Sequence, residues 1–178
     1  MATGVVFWWL QLQYQQPFAD DLHPYLTRAQ APDTPTALRG LLANGAAEGR
    51  AKVISFYDPS CPCTRFNTPH RERIEARFAG GKVDFVSIQA DDNAALAQHL
   101  QQWLPVQKAP AALVLDAEGR LVYYGPFSVG SGCLTGSGTF VERAIQRVLE
   151  GGQDAAKLNV LAKGCYCTWP ELDGETKA

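Results

Sequence analysis

KVISFYDPSCPCT, residues 52–64, is the stretch of sequence that decides the fold. Its first six residues, 52–57, are rich in β-branched and aromatic side chains, which is typical of a short buried strand. Residues 58–60, Asp-Pro-Ser, then predict a turn, and a helix is predicted from Pro62 to Ala79. The stretch therefore places Cys61 at the N-terminus of a helix, directly after a strand.

The segments that follow alternate between strand and helix patterns. Helical spacing in the first long helix favours three buried apolar positions, Phe66, Ile74 and Phe78. The later segments are predicted as strand 83–88, helix 93–104, strand 109–115, strand 121–124 and helix 140–149. Strands joined through a helix run parallel, whereas a hairpin is antiparallel. The order predicts an α/β fold with a mixed four-stranded sheet flanked by helices.

Three further features accompany the strand that runs into Cys61. Pro69 lies in the helix eight residues beyond this cysteine, Ala109-Pro110 begins the third strand, and LVLDAEGRLVYY forms a hairpin over residues 113–124. Together these features resemble the thioredoxin-like superfamily over roughly residues 50–150. The resemblance implies thiol–disulfide chemistry at Cys61. It also implies a cis peptide bond before Pro110 and a partner-binding groove at Pro62, Ala109 and Pro110.

The cysteine motif departs from the family pattern. Thioredoxins carry Cys-x-x-Cys, but here the run is Cys61-Pro62-Cys63-Thr64, with the second cysteine one position early. Backbone N–H groups and the helix dipole at a helix N-terminus stabilise a thiolate, which is the nucleophilic form of cysteine. Cys61 is therefore the candidate nucleophile. Cys63 either closes a small disulfide ring with Cys61 or pairs elsewhere, and the sequence leaves both options open.

A third candidate cysteine lies in a loop rich in glycine and serine. In the fold that the resemblance implies, the loop after the fourth strand returns to the active site, and this loop contains Cys133. Glycines allow its backbone to approach closely. Cys133 is a candidate resolving cysteine, and the alternative is a small apolar residue that fills space at a helix entrance.

A second Cys-x-Cys pair, Cys165 and Cys167, lies near the end of the chain. Three roles remain open for it. The pair relays disulfides from Cys61, or it staples the tail to the domain, or it supplies thiolates to Zn²⁺ or Cu(I). The Cys-x-Cys spacing is shorter than the usual zinc spacing of two to four residues. The total of five cysteines is odd, so oxidation does not pair them all within one chain.

Three regions are predicted along the chain. Residues 1–35 form an N-terminal arm, residues 36–150 the thioredoxin-like domain, and residues 151–178 a cysteine-bearing extension with a short helix over 154–162. The arm contains GVVFWWL at residues 4–10, which is far shorter than the roughly 20 residues of a membrane-spanning helix. This stretch is either the stub of a membrane anchor or an apolar segment that docks on the core. Four prolines within residues 17–37 predict a mostly extended linker.

Composition excludes some classes of function. The 178 residues are 46% hydrophobic and 19% charged, which fits one packed domain. The 16 Lys and Arg against 18 Asp and Glu give a net charge of −2, so nucleic-acid binding is not expected.

His70 is predicted to be solvated on a polar helix face, and Asp91 and Asp92 are predicted to cap a helix rather than hold a metal.

The sequence therefore predicts a thiol–disulfide oxidoreductase that acts through Cys61 on protein thiols or disulfides, with Cys63 or Cys133 resolving the mixed disulfide. No organic cofactor is expected. The alternatives are a protein that binds and delivers Cu(I) or Zn²⁺, a thiol-dependent peroxide reductase, and a scaffold that only binds partners. Cysteine usage and the aromatic N-terminus predict an extracytoplasmic, periplasm-like location with a membrane tether.

Overall fold

The bounds of the helices and strands come from a computed structural model. The structure describes residues 5, 9, 15–30, 35–43, 49–89, 94–127, 139–152 and 155–169. The helices are α1 (His23–Gln30), α2 (Thr36–Ala43), α3 (Pro62–Phe78), α4 (Ala94–Trp103) and α5 (Thr139–Leu149). The strands are β1 (Gln15–Pro17), β2 (Ala51–Tyr57), β3 (Val83–Gln89), β4 (Lys108–Ala109), β5 (Ala111–Leu115), β6 (Leu121–Pro126), β7 (Lys157–Leu158), β8 (Lys163–Cys165) and β9 (Cys167–Thr168).

A mixed sheet with the strand order β3-β2-β5-β6-β7 forms the centre of the molecule. Strands β2 and β3 are parallel, and β5 is antiparallel to both β2 and β6. Helix α3 follows β2, and a cis peptide bond joins Ala109 to Pro110 directly before β5. The prediction of a thioredoxin-like α/β fold is confirmed. The fifth strand, β7, comes from the C-terminal extension and was not part of the predicted four-stranded sheet.

The core lies on both faces of this sheet. Every residue of β5 is buried, because its side chains alternate between two apolar clusters. On one face, Leu113 belongs to a cluster with Leu100 of α4. On the other face, Val114 belongs to a cluster with Ile74 of α3 and Val141 of α5. The two layers of helices hold β2, and therefore the cysteine that follows it, in a fixed position.

Helix α3 buries a face that is mostly polar, which corrects two predictions. Ile74 and Phe78 pack into the core as predicted, but Phe66 is 55% exposed. His70 was predicted to be solvated and is only 6% exposed. The buried residues of the helix are Cys63, Thr64, Asn67, His70 and Ile74. Because residues that lie four, seven and eleven positions after Cys63 share its face, the inward direction of that cysteine determines which side chains are buried.

The predicted extended linker over residues 17–37 is wrong, because α1 lies inside it. Pro24 falls in the first turn of this helix, where its missing N–H group leaves no hydrogen bond unmade. The side chain of Asp21 accepts a hydrogen bond of 2.9 Å from the backbone N–H of His23. Proline density alone does not distinguish a linker from a helix start of this kind.

Aromatic packing attaches this helix to the domain. The ring of Tyr25 stacks on that of Tyr124 at 5.5 Å between centroids, and the ring of Phe18 contacts Tyr124 edge-on at 5.6 Å. The hydroxyl group of Tyr25 donates a hydrogen bond of 2.5 Å to the carbonyl oxygen of Pro105. Both Phe18 and Tyr25 are fully buried. This part of the arm is therefore a component of the core.

The extreme N-terminus is described only at Val5 and Trp9, whose side chains are 70% and 61% exposed. Within the described residues, no helix is both long enough and apolar enough to cross a membrane. The choice between an anchor stub and a docked apolar segment for residues 4–10 stays a prediction.

The short helix predicted over residues 154–162 is also wrong where residues 155–162 are described. Strand β7 lies there and pairs with β6, with Leu158 opposite Tyr124. The N–H of Asn159 donates to the carbonyl oxygen of Tyr124 at 2.8 Å. A side chain at Gly125 would place its Cβ only 2.9 Å from that of Asn159, so glycine permits the close approach. An edge strand of two residues is too short to show the alternation of apolar and polar side chains by which strands are predicted.

The buried tyrosine of α1 generates a prediction about alkaline stability. Burial raises the pKa of Tyr25 to about 12, whereas a free tyrosine has a pKa of about 10. The folded state therefore holds the Tyr25 proton more tightly than the unfolded state does. The resulting contribution to the free energy of unfolding is complete below about pH 10 and is lost as the pH rises towards 12. We predict that Tyr25→Phe lowers the free energy of unfolding at neutral pH by about 1 kcal/mol, through the lost hydrogen bond.

The same variant should lose stability less steeply than the native protein between about pH 10 and pH 12. Urea denaturation, followed by circular dichroism across that range, measures both effects. Identical pH dependence in the two proteins would show that Tyr25 does not contribute to alkaline unfolding.

Candidate functional site

A tight turn places Cys61 at the end of β2 and the start of α3. The carboxylate of Asp58 accepts hydrogen bonds from the N–H of Ser60 at 2.8 Å and from its hydroxyl group at 2.6 Å. The N–H of Cys61 donates to the carbonyl oxygen of Asp58 at 3.1 Å. Asp58 therefore shapes the turn. Cys61 is the N-cap residue of α3, and its side chain makes no capping hydrogen bond.

Two disulfides connect this helix start to the tail. Cys61 is bonded to Cys167, with an S–S distance of 2.02 Å and a Cα–Cα distance of 6.0 Å. Cys63 is bonded to Cys165, with corresponding distances of 2.06 Å and 5.7 Å. Of the two options that the sequence left open for Cys63, pairing elsewhere is the one observed. The first and second Cys-x-Cys pairs are joined to each other, and neither pair closes a ring on itself.

The sulfur atoms of the two bridges lie in one cluster. The Sγ atoms of Cys61, Cys63 and Cys167 are all within 4.8 Å of one another. Cys61 and Cys63 are each 2% exposed, whereas both tail cysteines are half-buried. In the reduced state this arrangement offers three thiolates to one soft metal ion. When one bridge is opened, it places the released thiolate within reach of the other disulfide.

The tail reaches the cluster by joining a strand at the cis-proline. Strand β9 pairs antiparallel with β4, with Cys167 opposite Ala109 and Thr168 opposite Lys108. Ala109 is the residue whose peptide bond to Pro110 is cis. Two of the three positions predicted to form the partner groove, Ala109 and Pro110, thus lie where the tail is bound. The third position, Pro62, is exposed.

An aromatic anchor follows the last cysteine. Trp169 is 2% exposed, and its ring contacts Phe56 of β2 edge-on at 5.7 Å between centroids. Its backbone N–H donates to the carbonyl oxygen of Gln107 at 2.8 Å. Trp169 therefore extends the pairing of β9 by one residue and fixes the tail against the sheet.

The residue between the two tail cysteines points into the core. Tyr166 is 1% exposed and contacts Phe18 edge-on at 5.3 Å between ring centroids. Burial raises the pKa of its phenol above the usual range. A Cβ atom at Gly164 would lie 2.5 Å from the Tyr166 hydroxyl, so the neighbouring strand must carry glycine there. Alternation along an extended tail turns both cysteines to one side and the tyrosine to the other.

The N-terminal arm holds the tail from its other side. Strand β1 pairs antiparallel with β8, with Gln15 opposite Cys165. The buried ammonium group of Lys108 lies 3.2 Å from the carboxylate of Asp20 and 3.3 Å from the side-chain oxygen of Gln16. The sequence did not predict the pairing of the arm with the tail, because pairing between distant segments leaves no pattern among neighbouring residues. The alternation in Cys-Tyr-Cys could have indicated an extended tail.

Several predicted residues lie outside the described part of the chain. They are Cys133, the candidate resolving cysteine, together with Asp91 and Asp92, the predicted helix caps. Their predicted roles therefore stay predictions.

Two solved structures that align with a TM-score above 0.5 show the fold. An uncharacterised conserved protein from Geobacillus kaustophilus aligns with a TM-score of 0.56 and 15% identity, over 76% of this chain and 83% of that one. A hypothetical protein from Sinorhizobium meliloti aligns with a TM-score of 0.52 and 18% identity, over 68% of this chain and 80% of that one. Thioredoxin from Trypanosoma brucei brucei aligns with a TM-score of 0.46 and 15% identity, over 62% and 85% of the two chains.

A comparison with curated proteins gives no significant match. One family model matches residues 28–169, which takes in the central sheet, both Cys-x-Cys pairs and Trp169. The chain belongs to this family, which is described as a domain of unknown function, DUF6436.

Proposed function

We propose that the protein is a thiol–disulfide oxidoreductase in which the tail cysteines are the internal partners of Cys61 and Cys63. One observation carries this proposal: both cysteines at the N-terminus of α3 are bonded to the tail, and three of the four sulfurs lie within 4.8 Å. The substrates are protein thiols or disulfides. Oxidation of a partner dithiol and reduction of a partner disulfide are the two directions of the same exchange.

Exposure favours the tail as the point of attack. Cys61 is almost completely buried, so an incoming partner thiolate reaches Cys167 more readily. A new bond forms between the partner sulfur and Cys167 as the bond between Cys61 and Cys167 breaks. Cys61 leaves as a thiolate, which the N-terminus of α3 stabilises, and a stabilised thiolate leaves faster. A second partner thiolate then attacks the partner sulfur and releases Cys167. The partner gains a disulfide, and two electrons and two protons pass to the protein.

The second disulfide makes the centre able to exchange internally. Once Cys61 is a thiolate, its sulfur lies within 4.8 Å of Cys63, which is still bonded to Cys165. Attack on Cys63 forms a bond between Cys61 and Cys63 and releases Cys165 as a thiolate, with no net gain of electrons. The disulfide thereby moves from the tail to the helix. Cys133 stays a predicted resolving cysteine, and this sequence of steps does not require it.

The position of the tail supports a link between redox state and partner binding. Strand β9 occupies the pairing edge of β4 beside Pro110, where the partner groove is predicted. A reduced tail is held there by two residues of strand pairing and by Trp169, without covalent bonds. A partner strand therefore competes for β4 more effectively after reduction.

The proposal predicts different reactivity for the two bridges. Two variants each keep one helix–tail disulfide: Cys63→Ser with Cys165→Ser keeps Cys61–Cys167, and Cys61→Ser with Cys167→Ser keeps Cys63–Cys165. The first variant should oxidise a dithiol peptide about ten times faster, because its leaving thiolate lies at the helix N-cap. Acid quenching, alkylation and mass spectrometry follow the reaction. Each variant is the structural control for the other. Equal rates, or a faster reaction of the variant that keeps Cys63–Cys165, would contradict the proposal that the Cys61–Cys167 bridge is the more reactive one.

A second candidate function is suggested by the sulfur cluster alone. Zinc–sulfur bonds are about 2.3 Å long, so two sulfurs on one zinc lie less than about 4.6 Å apart. The sulfur of Cys63 lies within 4.8 Å of the sulfurs of Cys61 and Cys167, which are bonded to each other in the oxidised protein. Reduction would allow these thiolates to bind Zn²⁺ or Cu(I), which thiolates favour.

If this second function holds, the reduced protein under anaerobic conditions should retain one Zn²⁺ or Cu(I) ion through buffer exchange. Native mass spectrometry measures the bound ion. The double variant Cys61→Ser with Cys63→Ser should retain none. Equal retention by this variant, or none by the native sequence, would rule out binding at the cluster. Peroxide reduction by Cys61 stays a prediction, because no described contact favours it.

We also propose an extracytoplasmic, periplasm-like location. Disulfides persist in oxidising compartments and are rare in the cytosol, and this chain has two that bridge distant segments. A membrane tether at the N-terminus remains part of this proposal.

A further inference from the structure

Trp169 fills an aromatic pocket one residue beyond strand β9. Its side chain is 2% exposed and belongs to the same apolar cluster as Phe56 of β2 and Trp103 of α4. Its ring contacts that of Phe56 edge-on at 5.7 Å between centroids. A pocket of this kind favours a large aromatic side chain over a small apolar one, because an aromatic ring buries more area and makes edge-to-face contacts.

The three tail residues that run along β4 differ in burial. Cys167 is half-buried and is bonded to Cys61. Thr168 is exposed, whereas Trp169 is buried. Strand pairing and the hydrogen bond from the Trp169 N–H to the carbonyl oxygen of Gln107 hold the backbone. Backbone hydrogen bonds form with any sequence, whereas side-chain pockets select between sequences. The selective side chain of this segment is therefore Trp169.

A partner that bonds directly to Cys61 must take the place of the tail. Cys61 is 2% exposed, and the sulfur bonded to it is that of Cys167, at 2.02 Å. We call the backbone of residues 107–109, together with the pocket beside Phe56, the tail seat. In the reduced protein no covalent bond holds the tail there, so an extended partner segment can pair with β4 instead. This entry is open to the reduced protein, whereas the oxidised protein is attacked at Cys167 as proposed above.

We propose that the tail is an internal copy of the partner sequence, and that partners of the reduced protein carry a large aromatic residue two positions after the reacting cysteine. The partner cysteine lies opposite Ala109, and its aromatic side chain fills the pocket beside Phe56. The residue between them faces solvent as Thr168 does, so several residue types fit there. The inference rests on the proposed thiol–disulfide exchange and adds a sequence requirement for the partner.

The reaction in the tail seat needs no further reactant. The Cys61 thiolate attacks the partner disulfide, so that a bond forms between Cys61 and the seated partner sulfur while the partner's own S–S bond breaks. The electron pair leaves on the second partner sulfur, which takes up a proton. The Cys167 thiolate then attacks Cys61, restores their bond and releases the seated sulfur, which takes up a second proton. Two electrons pass to the partner, and the return of Trp169 to its pocket favours release of the product.

The test measures how fast Cys61 bonds to peptides of different sequence. The full chain with Cys63→Ser, Cys133→Ser, Cys165→Ser and Cys167→Ser keeps Cys61 as its one thiol. Each peptide carries its cysteine as a mixed disulfide with thionitrobenzoate, whose release is coloured, and each rate is divided by that of the same peptide with glutathione. A peptide with Cys-Thr-Trp should react at least about tenfold faster than one with Cys-Thr-Ala or with the reversed order Trp-Thr-Cys.

The native sequence supplies a second measurement that does not depend on these replacements. The reduced native protein is mixed with equal amounts of the Cys-Thr-Trp and Cys-Thr-Ala peptides and is quenched with acid early in the reaction. Mass spectrometry then identifies the peptide bonded to Cys61. The peptide that contains tryptophan should again predominate by at least about tenfold.

Trp169→Ala, made in the variant whose one thiol is Cys61, tests whether tail and partner share the seat. Without this anchor the tail leaves β4 more readily, so all peptides should react at least about fivefold faster while the preference for tryptophan is kept. Leu161→Ala removes a side chain of the same tail that is 73% exposed, and it should react like its parent.

The outcomes separate this inference from the function on which it rests. Equal rates for the Cys-Thr-Trp and Cys-Thr-Ala peptides, or no acceleration by Trp169→Ala, would overturn the shared aromatic seat and leave disulfide exchange at Cys61 intact. A lack of reaction at Cys61 with every peptide would contradict the exchange itself, and the inference would fail with it.

Discussion

Covalent linkage between the first turn of α3 and the tail is the constraint on which the remaining structure depends. Cys61 and Cys63 lie two residues apart at the helix start, and Cys165 and Cys167 lie two residues apart in the tail. Matching spacings allow two bridges side by side. Once they are made, β9 must lie against β4, and β8 must lie where β1 pairs with it. The arm and the tail thereby become one surface of the domain.

The nested arrangement makes the two bridges largely redundant in their contribution to stability. The outer bridge spans a sequence separation of 106 residues, and closing a loop of about 100 residues stabilises a fold by roughly 4.7 kcal/mol in the chain-entropy model. After that closure, the inner bridge completes only a small additional ring and constrains the unfolded chain far less. Either bridge alone therefore supplies most of the stabilisation. Such redundancy allows one disulfide to react while the other keeps the tail near the helix.

The sequence predicts those parts of the structure that depend on patterns among neighbouring residues. The strand before Cys61, the helix after it, the hairpin and the cis-proline follow from periodicity, turn residues and the family resemblance. Pairing of the cysteines did not follow, because two Cys-x-Cys pairs are compatible with internal rings, cross-links or a metal. The burial of His70 was missed because the inward face of α3 is set by Cys63 and carries few apolar side chains. Strand β7 and the pairing of β1 with β8 involve contacts between distant segments, which leave no local pattern.

The measurement that tests the central claim most directly is disulfide mapping of the oxidised protein without reduction. Trypsin separates residues 53–65, which contain Cys61 and Cys63, from residues 164–177, which contain Cys165 and Cys167. We expect the two peptides to remain joined, with fragment ions that link Cys61 to Cys167 and Cys63 to Cys165. Two separate peptides, each with an internal disulfide, would contradict the account, because no disulfide would then join the tail to α3.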